Sequence, residues 1–230
     1  MKQFFSISDN SIHSRGFPWI ARIEIGLEHK GICRECEGPL TQPRGDLQVT
    51  LERNKGRKWP DVIGCGSYPL LIVTARVLDA FRDDRIGDFP VGGRVILLPP
   101  LPANLQKVEP PSYYWLNGAQ MFGANVDFEA SGFVGVQFCS ICGRRWDDIE
   151  ATYDRQHSSQ PYGYVFREET WKCANLFTTD ISPTAFFCTF AVVETAKKYG
   201  LSNFRFVPVE EGIAAGSKGI EYLLPTPPKE

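Results

Sequence analysis

No run of about 18 apolar residues occurs anywhere in the chain, so no membrane-spanning helix is expected. Met1 to Asn10 carries a single lysine and no apolar core of the kind a secretion signal needs, and a cytoplasmic protein is expected. An excess of one charge is also missing. Lys+Arg number 25 against 27 Asp+Glu, a formal charge of −2, which disfavours a dedicated binder of nucleic-acid backbones. Histidine is scarce, with His13, His29 and His157 alone. A zinc deaminase would need His-x-Glu well before Pro-Cys-x-x-Cys, and neither half of that signature is present. There is no glycine-rich phosphate loop of P-loop or Rossmann type. Gly64-Cys65-Gly66-Ser67 has the outline of a nucleophile turn, but no G-x-S-x-G elbow or cysteine-protease signature surrounds it. The acidic pairs Asp83-Asp84 and Glu168-Glu169 are sequence neighbours, which point away from each other on a helix or strand, so they are expected to be solvated. Each absence removes a class of active site, and a non-catalytic protein is expected.

What the chain does have is hydrophobic mass and cysteine. With 43% hydrophobic residues over 230 positions it can bury a sizeable core, in one large or two small domains. Its seven cysteines are an odd number without a secretion signal, which fits reduced thiols and metal ligation better than a disulfide framework. Cys173 and Cys188 lie in apolar runs and are expected to be small core residues. Four others form two short motifs, Cys33-Arg34-Glu35-Cys36 and Cys139-Ser140-Ile141-Cys142. A C-x-x-C turn brings two sulfurs to one side of a metal, and two such turns close a tetrahedral shell. The expectation is a structural zinc ion held by Cys33, Cys36, Cys139 and Cys142, with an emptied relic of such a site or a redox pair as the alternatives. Four thiolates leave no position for a reactive water. A glycine follows each pair, Gly38 and Gly143, where a knuckle often needs a positive φ. His29 lies close before Cys33, but four cysteines suffice and a surface position is expected for it.

Along the chain, Met1 to Ile7, Trp19 to Ile25 and Leu47 to Leu51 are expected as strands, with a proline-containing turn over Leu40 to Arg44. Arg53, Lys55, Arg57 and Lys58 make a basic loop, expected to be solvated. Leu70 to Val73 is an apolar run short enough for a buried strand. Thr74 then caps a helix whose inner face holds Val77, Leu78 and Phe81, and Phe89 to Leu98 returns as a strand. The same order recurs later. Ala185 to Cys188 is the apolar run, Thr189 the cap, Val192, Val193 and Ala196 the inner face, and Gly200 the stop before Leu201. Without gaps, Thr74 aligns with Thr189, Val77 with Val192, Ile86 with Leu201 and Phe89 with Phe204. The fold expected is α+β, two similar strand-helix-strand halves in pseudo-duplication, 1–108 and 109–230, joined by the zinc knuckles in one compact domain. Two such units can also resemble each other through pattern alone.

Pro99 to Pro102 and Pro110-Pro111 bracket a linker or crossing loop. Tyr113 to Gly118 is expected to be turn-like, Phe133 to Phe138 a strand, Trp146 to Pro161 a polar surface loop, and the tail from Gly212 loose except around Tyr222 to Leu224.

These features carry a resemblance. The two knuckles, followed by Leu176 to Ser182 and Val192 to Phe206, resemble the double-CXXCG-motif family of bacterial immunity proteins, associated with contact-dependent, polymorphic toxin systems. The second motif, Cys139 to Gly143 with Arg144 after it, matches fully; the first has Glu37 where the family glycine stands and Gly38 one place later. The resemblance implies a non-catalytic cytosolic protein that binds and neutralises a cognate protein toxin. The main rival reading is a zinc-ribbon-like nucleic-acid-binding or regulatory module, and the third is an enzyme using Cys65. Residues for a partner surface are the rings of Tyr113, Tyr114 and Trp115 and the acids Asp147, Asp148 and Glu150, with a further acidic group at Asp79, Asp83, Asp84 and Asp88. The alternative is that the acids are ordinary solvated surface and the rings fill the core.

Overall fold

The computed structural model describes residues 3–9, 17–18, 20–52, 58–63, 70–156, 163–182, 184–209 and 222–223. Gly64 to Ser67 with Cys65, the basic positions 53–57, His13, His157 and the tail from Gly212 up to 221 lie outside the described residues. The fold is mixed α+β, mostly strand with few helices. One sheet has the order β2 (Ile20–Ile32), β3 (Pro39–Leu51), β6 (Val91–Leu97), β7 (Tyr113–Asn117), β5 (Leu70–Thr74), β4 (Val62–Ile63). The other has the order β14 (Tyr222–Leu223), β13 (Phe204–Pro208), β1 (Phe4–Asp9), β12 (Phe186–Thr189), β11 (Leu176–Thr179), β8 (Phe122–Ala124). A separate hairpin joins β9 (Gln137–Phe138) to β10 (Arg145–Trp146).

Two helices, α1 (Ala75–Asp83) and α3 (Phe190–Lys198), connect β5 to β6 and β12 to β13. Within each pair of parallel strands an antiparallel strand from the other half of the chain is inserted. β7 lies between β5 and β6, and β1 between β12 and β13. A cut between 108 and 109 therefore separates each of these inserted strands from its partners.

Strand alternation explains how both sheets bury both faces. Leu71 and Val73 of β5, Leu116 of β7, Phe5 and Ile7 of β1, and Phe186 and Cys188 of β12 join one central core with the inner faces of α1 and α3. The alternate residues point the other way. Leu70, Ile72, Tyr113 and Trp115 form a second cluster, and Phe4, Phe177 and Phe187 a third. Each of these fully covered side chains contributes about 1.5–3 kcal/mol of apolar burial.

The helix ends share a device that differs from the one expected. Neither Thr74 nor Thr189 accepts a helical N–H with its side chain. Each hydroxyl instead donates to the residue that precedes the neighbouring strand, Thr74 to Asp61 at 2.9 Å and Thr189 to Asn175 at 2.8 Å. Asp61 also accepts from the N–H of Ser202 and from Arg76, and Asn175 donates to the carbonyl of Ile86. At the C-termini, Ile86 N–H reaches Phe81 and Leu201 N–H reaches Ala196, each past a left-handed residue, Arg85 at φ 54° and Gly200 at φ 58°.

Several expected boundaries move. Leu40 to Arg44 is not a turn: it belongs to β3, whose first half pairs only with β2, so Pro43 costs no ladder bond to a third strand. Tyr113 to Asn117 is an interior strand, because its rings fill the core on both faces. Trp146 to Pro161 is not all loop, since it contains α2 (Ile149–Gln156), started by Asp148, whose carboxylate accepts from Ala151 N–H at 3.1 Å. Of Phe133 to Phe138 only the last two residues are strand.

Candidate metal centre

Each C-x-x-C motif forms the tip of a hairpin. β2 and β3 run beyond the sheet as a two-stranded ribbon, paired to Ile32 opposite Pro39, with Cys33 to Gly38 at its end. Cys139 to Arg144 likewise caps β9 and β10. The two tips close identically: Cys33 N–H donates to Gly38 and Glu37 N–H to Cys33, while Cys139 N–H donates to Arg144 and Gly143 N–H to Cys139. The second hairpin is tied to the body through Arg145, which pairs at 2.8 Å with half-buried Asp180 and lies over the rings of Phe128 and Phe138.

The turn needs a left-handed residue after the second cysteine. Gly143 supplies it at φ 73°, and Glu37 at φ 53° occupies the same place in the first tip. Glu37, not Gly38, therefore carries the positive φ expected of a glycine. Gly38 is not left-handed, and a Cβ there would meet the movable tip of Arg144 at 2.2 Å and the Cys36 sulfur at 3.3 Å.

The tips bring Cys33, Cys36, Cys139 and Cys142 together with all four sulfurs within 4.8 Å of one another. Cys33 and Cys139 are 3.6 Å apart at Sγ, as are Cys36 and Cys142. Tetrahedral coordination with metal–sulfur bonds of about 2.3 Å sets sulfurs about 3.8 Å apart. The donor set and its spacing thus fit a metal ion, and these four cysteines could hold one. It is the one such grouping of Cys, His, Asp and Glu among the described residues.

Electrostatics point the same way. Backbone N–H groups of Cys36 and Glu35 aimed at the Cys33 sulfur draw its thiol down to about 6. The Arg144 N–H pulls on Cys142 in the same sense, but lost hydration and the neighbouring sulfurs outweigh it and push that thiol up to about 12. Thiolates this close repel, and a cation lets all four ionise together.

A contact that spacing does not announce ties the tips to each other. Glu35 accepts from Ser140 twice, from N–H at 3.0 Å and from the hydroxyl at 2.6 Å. These bonds hold the Glu35 carboxyl below its usual range. His29 is exposed and bonded to Thr41, away from the sulfurs, and Cys173 is an exposed residue at φ 59° where a core position was expected. Cys188 is fully buried, and burial pushes its thiol up.

The partner-surface residues part company. Tyr113 and Trp115 are each 1% exposed, with Tyr113 donating to Pro60 O at 2.6 Å and Trp115 to Gly45 O at 2.9 Å. They offer no ring surface to a partner. Tyr114 is half-buried against the central core. Asp148 and Glu150 are exposed and Asp147 is half-buried. Asp79 pairs with Arg82, and Asp84 with Lys198 and Thr195. Asp61 lines a cleft of about 670 Å³ with Trp59 and Arg76, but Thr74, Arg76 and Ser202 take up its oxygens. No described helix is long and apolar enough to cross a membrane. Compared with protein-family models and with curated proteins, the chain matches none.

Proposed function

We propose that this chain is a non-catalytic, cytoplasmic immunity protein that binds and neutralises a cognate protein toxin, its two knuckles clamped by a structural zinc ion. The observation that carries the reading is the set of four cysteine sulfurs within 4.8 Å of one another, since a metal held by four thiolates has no open coordination position for substrate. A folded chain with a closed metal site and large interlocked sheets is suited to presenting a surface. The motif resemblance supplies the kind of partner. The shared order of β5-α1-β6 and β12-α3-β13, each enclosing an antiparallel strand, supports the further proposal that the halves descend from a duplicated unit.

Metal analysis of the purified protein is expected to give about one zinc per chain, and Cys142→Ser to lower the melting temperature by several degrees, because the ion's binding energy is folding energy. Co-expression with the toxin encoded beside it should restore growth and yield a co-purifying complex. Absence of zinc after anaerobic purification, with unchanged melting of the variant, removes the metal; no complex and no protection removes the immunity role. The zinc-ribbon alternative takes its place if the protein instead shifts DNA or RNA with a steep salt dependence.

A further inference from the structure

The cleft beside Trp59 lies on the seam between the two strand-helix-strand units. The first unit supplies Thr74 and Arg76 at the start of α1, and the second supplies Gly200 and Ser202 just after α3. Its volume of about 670 Å³ falls within the ~300–1,000 Å³ range of small-molecule sites, and such sites favour seams of this kind. The floor is polar but closed. Asp61 accepts from the hydroxyl of Thr74 at 2.9 Å, from Arg76 at 2.9 Å, and from the N–H and hydroxyl of Ser202 at 2.7 and 3.0 Å. Ser202 Oγ in turn accepts from Asp61 N–H at 3.0 Å. These groups saturate one another, so the floor is preformed and has little left to offer a ligand.

The walls differ. Trp59 is half-buried, and its indole N–H donates to Val108 O at 2.9 Å, which fixes the ring. Buried Tyr113 backs it edge-on, with ring centroids 6.4 Å apart. Val108 is 47% exposed and Pro111 is exposed, so the cleft keeps apolar surface in reach of solvent. Lys58 precedes Trp59, Glu109 follows Val108, and both line the cleft as exposed residues. Neither has an ion-pair or hydrogen-bond partner among the described residues. Because Trp59 and Val108 are bonded, a free ammonium and a free carboxylate lie near one aromatic ring. A plain anion entering here meets Glu109 and a plain cation meets Lys58, so a molecule carrying both charges is the one that neither residue repels. A ring on that molecule gains an aromatic contact with Trp59.

We propose that this cleft binds a small zwitterion with an aromatic ring, of which a free aromatic amino acid is the simplest. Its carboxylate pairs with Lys58, its ammonium with Glu109, and its ring lies against Trp59. The site goes beyond the immunity reading and shares no residue with the knuckles.

The test is calorimetric titration of the full chain with free phenylalanine as probe, expected to bind with a Kd of about 1 mM or below. Phenylalanine amide, which lacks the carboxylate, and phenylpropionate, which lacks the ammonium, should each bind about five-fold more weakly. Lys58→Ser should erase the difference between phenylalanine and its amide, and Glu109→Ser the difference between phenylalanine and phenylpropionate. Both residues are exposed, so melting of these variants should match the wild type. Trp59→Leu should abolish binding; it also removes the bond to Val108, so the two charge variants carry the test should it fail to fold. No binding of phenylalanine overturns the proposal. The amide or phenylpropionate bound as tightly as phenylalanine overturns the zwitterion. Preferences that survive both charge variants place the ligand elsewhere and overturn the site. Each of these outcomes leaves the immunity reading standing.

Discussion

At the residue scale, the knuckles fill one left-handed position with different residues. Gly143 takes it in the second tip and Glu37 in the first. Glu37→Gly should therefore stabilise the metal-loaded protein by about 1 kcal/mol, read as a raised melting temperature, since a non-glycine residue pays of that order to hold positive φ. Gly143→Ala should destabilise it by a similar amount. The Glu35–Ser140 bonds predict something that melting alone does not report. Glu35→Ala, which removes both, should weaken zinc affinity by roughly 10–100-fold in a chelator competition, as loss of supporting contacts around metal ligands does, and Ser140→Ala, which removes only the hydroxyl bond, should weaken it less. The double variant should cost little more than Glu35→Ala alone, because that change already removes both bonds. A cobalt-substituted site should keep its tetrahedral four-sulfur spectrum in these variants, showing that the ligands themselves remain.

At the scale of elements, α1 and α3 are joined by an ion pair whose pH behaviour can be worked out. Lys198, helped by Thr195 and Tyr199, holds the Asp84 carboxyl below its usual range, and Asp84 in turn raises Lys198. A carboxyl depressed in the folded state stabilises at pH above its unfolded value, about 3.9, and that contribution disappears as pH falls through the lower folded value. Asp84→Asn should therefore melt below the wild type near neutral pH, with the gap closing in acid. A gap that persists unchanged to low pH would mean the pair adds nothing through charge. The two strand-helix-strand units were legible in the sequence because short β-rich apolar runs lead into strong helical periodicity around Val77 and Val192. β7 was not, since Asn117-Gly118 after three aromatic residues carries the signature of a turn, and only tertiary placement makes it interior. α2 escaped notice because its apolar period points at solvent, so the inner face held no hydrophobic signal. The four cysteines were readable from spacing, whereas Glu35, Ser140 and Arg144 sit at knuckle positions where many residue types fit, and their roles exist only once the two tips meet.

At the scale of the whole molecule, the exchange of β1 and β7 makes the halves interdependent. Separate expression of 1–108 and 109–230 should give chains without cooperative melting, because each lacks the strand that fills its sheet, while co-expression should recover a folded complex. A fragment that melts cooperatively alone would show that the inserted strand is dispensable. The same placement sets an order of events during synthesis. β1 leaves the ribosome before every other strand described, yet its neighbours β12 and β13 follow only after α1, α2 and most of both sheets. The nascent β1 must wait, with the apolar Phe4, Phe5 and Ile7 uncovered, until β12 and β13 have emerged. Over that interval the segment is a short apolar stretch without its sheet, open to the off-pathway association that unpaired strand edges invite.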